Sequence, residues 1–209
     1  IDQLGRQENA DLEKAFTRYG EVSIKLFGEE KTIQKLKDMA TKPGQPQAVL
    51  AWLLISRVDI LGKIKKDNPA IATAEINTAF TELRSFDKKA LAPYVLARIG
   101  GFLGATDPAQ SVPWFNEIVE RPGVEAKDFA YNALAKIYLK GTVKSNHELA
   151  LKNIDWVIQN TGDSNIAGES AYERASYYSR NQNWPEAEKR WSEFTANKKW
   201  ASAIRSPEA

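Results

Sequence analysis

The residue types that carry most nucleophilic and metal chemistry are nearly absent from this chain. Its 209 residues include no cysteine and a single histidine, His147. The lack of cysteine excludes thiolate nucleophiles, disulfides, cysteine-ligated zinc and iron–sulfur clusters, and one histidine cannot form a site with two histidine ligands. His147 stands between Asn146 and Glu148 at a polar helix start, where we expect a solvated side chain rather than a general base. The sequence therefore predicts no metal and no organic cofactor.

Pairs of carboxylates can act as an acid and a nucleophile in glycoside hydrolysis. Glu117 and Glu120 are spaced to share a helix face, whereas Glu186 and Glu188 are not. Charged side chains on helix surfaces usually serve solubility, and no cleft is indicated around either pair. Residues 100–104 contain three glycines but lack the order and the Lys-Ser/Thr of a phosphate-binding loop. We therefore expect a protein that is not an enzyme.

The elements that position these residues are predicted to be helices, because apolar residues recur at spacings of three and four along almost the whole chain. Strict alternation, the pattern of a half-buried strand, is hardly seen. We predict an all-α fold of about ten helices, paired into about five antiparallel hairpins. The hairpins are placed near residues 8–40, 46–84, 89–121, 126–160 and 166–196.

These hairpins are expected to form one continuous domain over residues 1–209, because no linker rich in glycine, serine or proline divides the chain. Helix pairs of similar length can bury their apolar faces by stacking on the next pair, which is the arrangement of an α-solenoid. Residues 197–209 are expected to cover the open end of the last hairpin. The longest apolar run, residues 48–55, is too short to span a bilayer and favours a helix buried at the centre of the fold.

A repeated spacing of small residues supports the solenoid. Ala97, Ala135 and Ala175 are 38 and 40 residues apart. We expect these alanines to be buried where the two helices of a hairpin cross closely, and Tyr138 and Tyr178 follow the last two at the same distance. Self-similarity at a nearly constant spacing of this length is the usual signature of a repeat architecture.

The last copy, with Ala175, Tyr178, Ala187 and Trp191, resembles the tetratricopeptide repeat in its small–aromatic–Ala–bulky pattern. The copy before it has a longer turn ahead of Ala150 and is similar to the longer-period SEL-type relatives. The resemblance is best over residues 126–196 and weaker over the third hairpin, where a glycine replaces the usual aromatic residue. The hairpins at 8–84 show no such motif, and a non-repetitive helical bundle remains the alternative.

The resemblance implies a scaffold that binds a partner peptide or domain in a concave groove, lined by the first helix of each hairpin. Counted from the small residue, offsets of −3, +1 and +5 face that groove. They select Tyr94, Arg98, Phe102, Asn132, Lys136, Lys140, Tyr172, Ser176 and Arg180. The cations among them favour an acidic segment or a free C-terminal carboxylate, with Asn132 bonding the peptide backbone and Tyr94 and Tyr172 as flat anchors.

Charge narrows the partner classes further. With 29 basic and 27 acidic residues the net charge is +2, and no basic arm is present, so no nucleic-acid partner is expected. An alternative is a structural, self-assembling soluble part of a membrane- or lipid-anchored envelope protein, and homo-oligomer formation stays open. The missing cysteine, and the room for a signal or anchor upstream of Ile1, favour the periplasm or cell envelope slightly over the cytoplasm, although neither decides the compartment.

Overall fold

The computed structural model shows an all-α protein, as the sequence predicts. It describes residues 2–41, 44, 47–64, 69–140 and 144–200, and within them ten α-helices, one short 3₁₀ helix at Lys88–Ala90 and no strand are present. The helices are α1 Asp2–Phe27, α2 Glu29–Ala40, α3 Gln47–Ile64, α4 Pro69–Arg84, α5 Pro93–Thr106, α6 Pro108–Glu120, α7 Lys127–Leu139, α8 Lys144–Asn160, α9 Ser164–Arg180 and α10 Trp184–Ala196. Residues 201–209 of the expected C-terminal cover lie outside the described residues.

Local sequence sets several helix ends. The Asp163 carboxylate accepts hydrogen bonds from the backbone N–H groups of Asn165 and Ile166, at 2.7 and 3.3 Å, and so begins α9. Gly28 separates α1 from α2 with a φ of 77°, a left-handed conformation that glycine adopts without steric cost. The start of α9 and the junction of α1 with α2 both depend on residue types that are visible in the sequence.

The chain divides into two compact units, Ile1–Glu117 and Ile118–Ala209, with the boundary inside α6. In the first unit, α3 contacts α1, α2, α4 and α5. Residues 51–58 of α3 are all buried because the helix is apolar on almost every side, which confirms the expected central helix. None of the described helices combines the length and apolar character needed to cross a membrane.

In the second unit, neighbouring helices pack in pairs: α7 with α8, and α9 with α10. The first helices of the two pairs, α7 and α9, also contact each other, as do α8 and α9. Ala135 and Ala175 are buried, as predicted, and Ala135 packs with Ala150 and Ile154. This packing of adjacent helices is compatible with a helical repeat.

A buried arginine joins three helices of this unit. Arg174 of α9 donates one hydrogen bond to the Asp155 carboxylate of α8, at 2.7 Å, and another to the Glu193 carboxylate of α10, at 3.0 Å. Arg190 also donates to Glu193, at 3.1 Å, so that the Glu193 carboxylate is shared by two guanidinium groups. Charge-assisted hydrogen bonds of this kind are stronger than neutral ones, and here they link α8, α9 and α10.

Candidate functional site

The predicted groove residues fall in both units. Tyr94, Arg98 and Phe102 belong to α5 in the first unit. The Arg98 guanidinium lies 3.2 Å from the Asp59 carboxylate of α3 and stacks over the Phe102 ring, 5.2 Å from its centroid. Tyr94 is partly exposed and its ring lies 6.2 Å from that of the buried Trp52. These three side chains therefore line one side of α5 and are already supported by neighbours in their own unit.

In the second unit, α7 and α9 bring two of the other predicted positions, Asn132 and Lys136, to one carboxylate. The Lys136 ammonium donates a hydrogen bond to Oε2 of Glu169, at 2.6 Å, and the Asn132 amide nitrogen donates to the same oxygen, at 3.2 Å. The Ser170 hydroxyl donates to the Asn132 carbonyl oxygen, at 3.1 Å. Asn132 is buried, and these two contacts engage both its amide nitrogen and its carbonyl oxygen. Bonding to a peptide backbone would require one of these contacts to be released.

The Glu169 carboxylate is held in its ionised form by this arrangement. Partial burial acts to raise its pKa, but the hydrogen bond and positive charge of Lys136, with the hydrogen bond from Asn132, outweigh burial and lower the pKa below its usual value. Glu169 was not among the residues selected from the sequence. Glu169 lies six positions before Ala175, which is about one helical turn before Tyr172, the residue at the offset of −3.

The same offset of −6, counted from Ala135, gives Phe129 on α7. Its side chain is 42% exposed, which is unusual for a phenylalanine in a folded protein. An offset of −6, three residues before the −3 position, would have selected both Phe129 and Glu169 from the sequence. An exposed aromatic residue and a carboxylate thus join the predicted set on α7 and α9.

Tyr172 is the second exposed aromatic residue of this surface, with 39% of its surface accessible. Its ring packs edge-on against Trp191 and Phe194 of α10, with centroid distances of 5.3 and 6.0 Å. These contacts restrict the tyrosine ring before any partner arrives, and a restricted side chain loses little entropy on binding. Ser176, by contrast, is buried.

The remaining cations of the set lie at the C-terminal ends of the two helices. Lys140 follows α7 and is exposed. Arg180 ends α9, its side chain is 60% exposed, and it lies 3.6 Å from the Glu173 carboxylate. We define the α7/α9 face as the exposed side chains of this region: Phe129, Lys136, Lys140, Glu169, Tyr172 and Arg180.

His147 lies in the first turn of α8, as predicted, but its side chain is partly buried rather than fully solvated. Its ring contacts the ring of Tyr177 edge-on, with the centroids 5.6 Å apart. Within the described parts of the chain, no group of three or more histidine, aspartate and glutamate side chains is placed to hold a metal ion.

Comparison of the chain with protein-family models, with curated proteins and with solved structures found no match.

Proposed function

We propose that the protein is a non-catalytic interaction module and that the α7/α9 face binds a peptide or domain of another protein. The observation that supports this proposal is the direct contact between α7 and α9, which the hydrogen bonds of Glu169 to Lys136 and Asn132 join. The same two helices, with Lys140 just beyond α7, carry two exposed aromatic rings and three cations. Tyrosine, tryptophan and arginine contribute most to the energetics of protein interfaces, whereas scattered exposed apolar residues are common and mean little.

The proposal includes the stacking of α7–α8 on α9–α10 in the manner of tetratricopeptide repeats. It is supported by the contacts of α9 with both α7 and α8, and by the burial of Ala135 and Ala175. In such an array the first helices of successive hairpins share one side, and that side is available for a ligand because the second helices cover the other.

The test is a comparison of partner capture by three proteins. The variant Lys136→Glu/Arg180→Glu reverses two cations of the α7/α9 face, and the control Lys152→Glu/Lys189→Glu reverses two exposed lysines of α8 and α10. Each protein is immobilised, incubated with an extract of the source cells, and its bound proteins are identified by mass spectrometry. We expect the wild type and the control to retain the same partners, and the variant of the α7/α9 face to lose them.

Circular dichroism and thermal unfolding of all three proteins serve as the folding control. If the variant stays folded and captures the same partners as the wild type, the α7/α9 face is not the binding surface and the proposal is wrong.

A further inference from the structure

The contacts of Glu169 define a small site for a carboxylate. One carboxylate oxygen lies 2.6 Å from the Lys136 ammonium nitrogen and 3.2 Å from the Asn132 amide nitrogen. A lysine and an amide that meet at one oxygen satisfy it with a charged and a neutral hydrogen bond, which is how proteins commonly hold carboxylates. Asn132 is fixed by burial and by Ser170, so one wall of the site is rigid.

The Glu169 carboxylate, which occupies this site, belongs to a half-exposed side chain that can turn away into solvent. The side chain of Glu169 is 50% exposed and that of Lys136 is 41% exposed. Exposed ion pairs contribute about 0–1 kcal/mol, because water competes for both charges and two long side chains must be held in place. Breaking the Glu169 contact therefore costs a competing carboxylate little, and the released glutamate is solvated.

The surroundings of the site indicate the form of such a ligand. Lys136 and Lys140 are four residues apart, at the end of α7 and just beyond it, and such positions are separated by about 6 Å along the axis. Alternate residues of an extended chain repeat every 6–7 Å or so and point to the same side. An extended segment with acidic residues at alternate positions therefore places one carboxylate near each lysine.

We propose that the Lys136–Asn132 pair is a carboxylate-binding subsite that Glu169 occupies in the free protein, and that an extended acidic segment of a partner protein binds by displacing it. The inference rests on the proposed function and names the partner chemistry of the α7/α9 face. Glu169 then sets the affinity of that face, because every acidic partner must compete with it.

The experiment measures binding of three synthetic peptides at low ionic strength by isothermal titration calorimetry. The first peptide is capped at both ends and alternates glutamate with serine. The second has glutamine in place of glutamate, and the third is the glutamine peptide with a free C-terminal carboxylate. The proteins are the wild type, Glu169→Gln, and Glu188→Gln, which removes an exposed carboxylate of α10 and matches the change in net charge.

We expect Glu169→Gln to bind the glutamate peptide about two to five times more tightly than the wild type, because the internal competitor is weakened. Glu188→Gln should bind it as the wild type does. Adding Lys136→Met to Glu169→Gln should remove the gain. The capped glutamine peptide should show no gain with Glu169→Gln, and the glutamine peptide with its free carboxylate should gain less than the glutamate peptide, because it offers one carboxylate to the two lysines.

An equal affinity of Glu169→Gln and Glu188→Gln for the glutamate peptide, or the absence of binding by all of the proteins, would overturn the inference. A gain that appears with the free C-terminal carboxylate alone would also overturn it, because the ligand would then be a chain terminus. In each case the proposed function stands if the Lys136→Glu/Arg180→Glu variant still loses its captured partners. The proposed function and this inference both fail if the Lys136→Glu/Arg180→Glu variant keeps its captured partners.

Discussion

At the scale of single residues, two adjacent glycines of α5 have opposite surroundings. A Cβ atom added to Gly100 would lie 2.8 Å from Cε1 of the Phe115 ring, which is a buried side chain of α6. A Cβ atom on Gly101 would meet nothing within 4 Å, and this glycine is exposed. Gly100 therefore allows α6 to approach α5 closely, whereas Gly101 only adds flexibility to the unfolded chain.

We therefore predict opposite effects of the two alanine substitutions. Gly100→Ala should lower the free energy of unfolding by about 1–3 kcal/mol, because the Phe115 ring must move in a packed core. Gly101→Ala should raise it by up to about 1 kcal/mol, because alanine favours a helix interior over glycine. Urea denaturation of both variants checks the prediction, and effects of the same sign would contradict it.

The buried Ala175 leads to a second prediction. Ala175→Leu should lower the free energy of unfolding by about 1–3 kcal/mol, because three extra carbon atoms must fit where helices cross. Ala196→Leu, at the exposed end of α10, is the matched control and should change little. Thermal and denaturant melts measure both, and a neutral Ala175→Leu would show that the repeat register is wrong.

At the scale of elements, the buried Arg174 of α9 binds carboxylates of two neighbouring helices, whereas the exposed Arg180 pairs with a carboxylate of its own helix. Replacing Arg174 by methionine leaves the Asp155 carboxylate without this guanidinium partner, whereas Glu193 keeps its contact with Arg190, and both carboxylates are exposed enough to regain water. We expect a loss of about 1–3 kcal/mol in the free energy of unfolding. Arg180→Met removes an exposed pair of the same helix and should change it by less than about 0.5 kcal/mol. Similar losses from both, in urea melts, would mean that Arg174 does not join the three helices.

The contribution of the Glu169 contact between α7 and α9 to the free energy of unfolding should depend on pH. Because the pKa of Glu169 is lower in the folded than in the unfolded protein, its stabilising effect is fully present above the unfolded value, about 4.3. That effect is lost as the pH falls through the lowered folded pKa. The difference in free energy of unfolding between the wild type and Glu169→Gln should therefore be constant near neutral pH and vanish in acid. Its size should stay below about 1 kcal/mol, because the pair is half exposed. Urea melts of both proteins across this pH range measure it, and a difference that grows in acid would contradict the assignment.

At the scale of the whole molecule, helix content is the property that the sequence predicts most directly. We expect far-ultraviolet circular dichroism to show that more than half of the residues are helical, because the described residues lie mostly in α1–α10. A spectrum dominated by sheet would refute both the sequence-based prediction and the fold.

The helical class, the central α3 and the buried alanines followed from the sequence because they depend on local chemistry. Periodicity reports which side of a helix is apolar, and residues such as Asp163 and Gly28 stop or start helices through their own backbone and side chain. Ala135 and Ala175 were found in the same way, from a spacing that repeats along the chain. None of these inferences requires knowing how one helix is rotated against another.

The tertiary structure alone decided which side chains meet across helices. A glutamate on α9 reaches Lys136 and Asn132 on α7, and the Phe115 ring fills the space above Gly100, because of the rotation and axial shift of each helix against its neighbour. These shifts result from the packing of all core side chains together, and a displacement of one residue turns a helical position by about 100°. Sequence offsets could therefore place Lys136 on a shared face, but they could not reveal that the Lys136 ammonium is already paired with the Glu169 carboxylate.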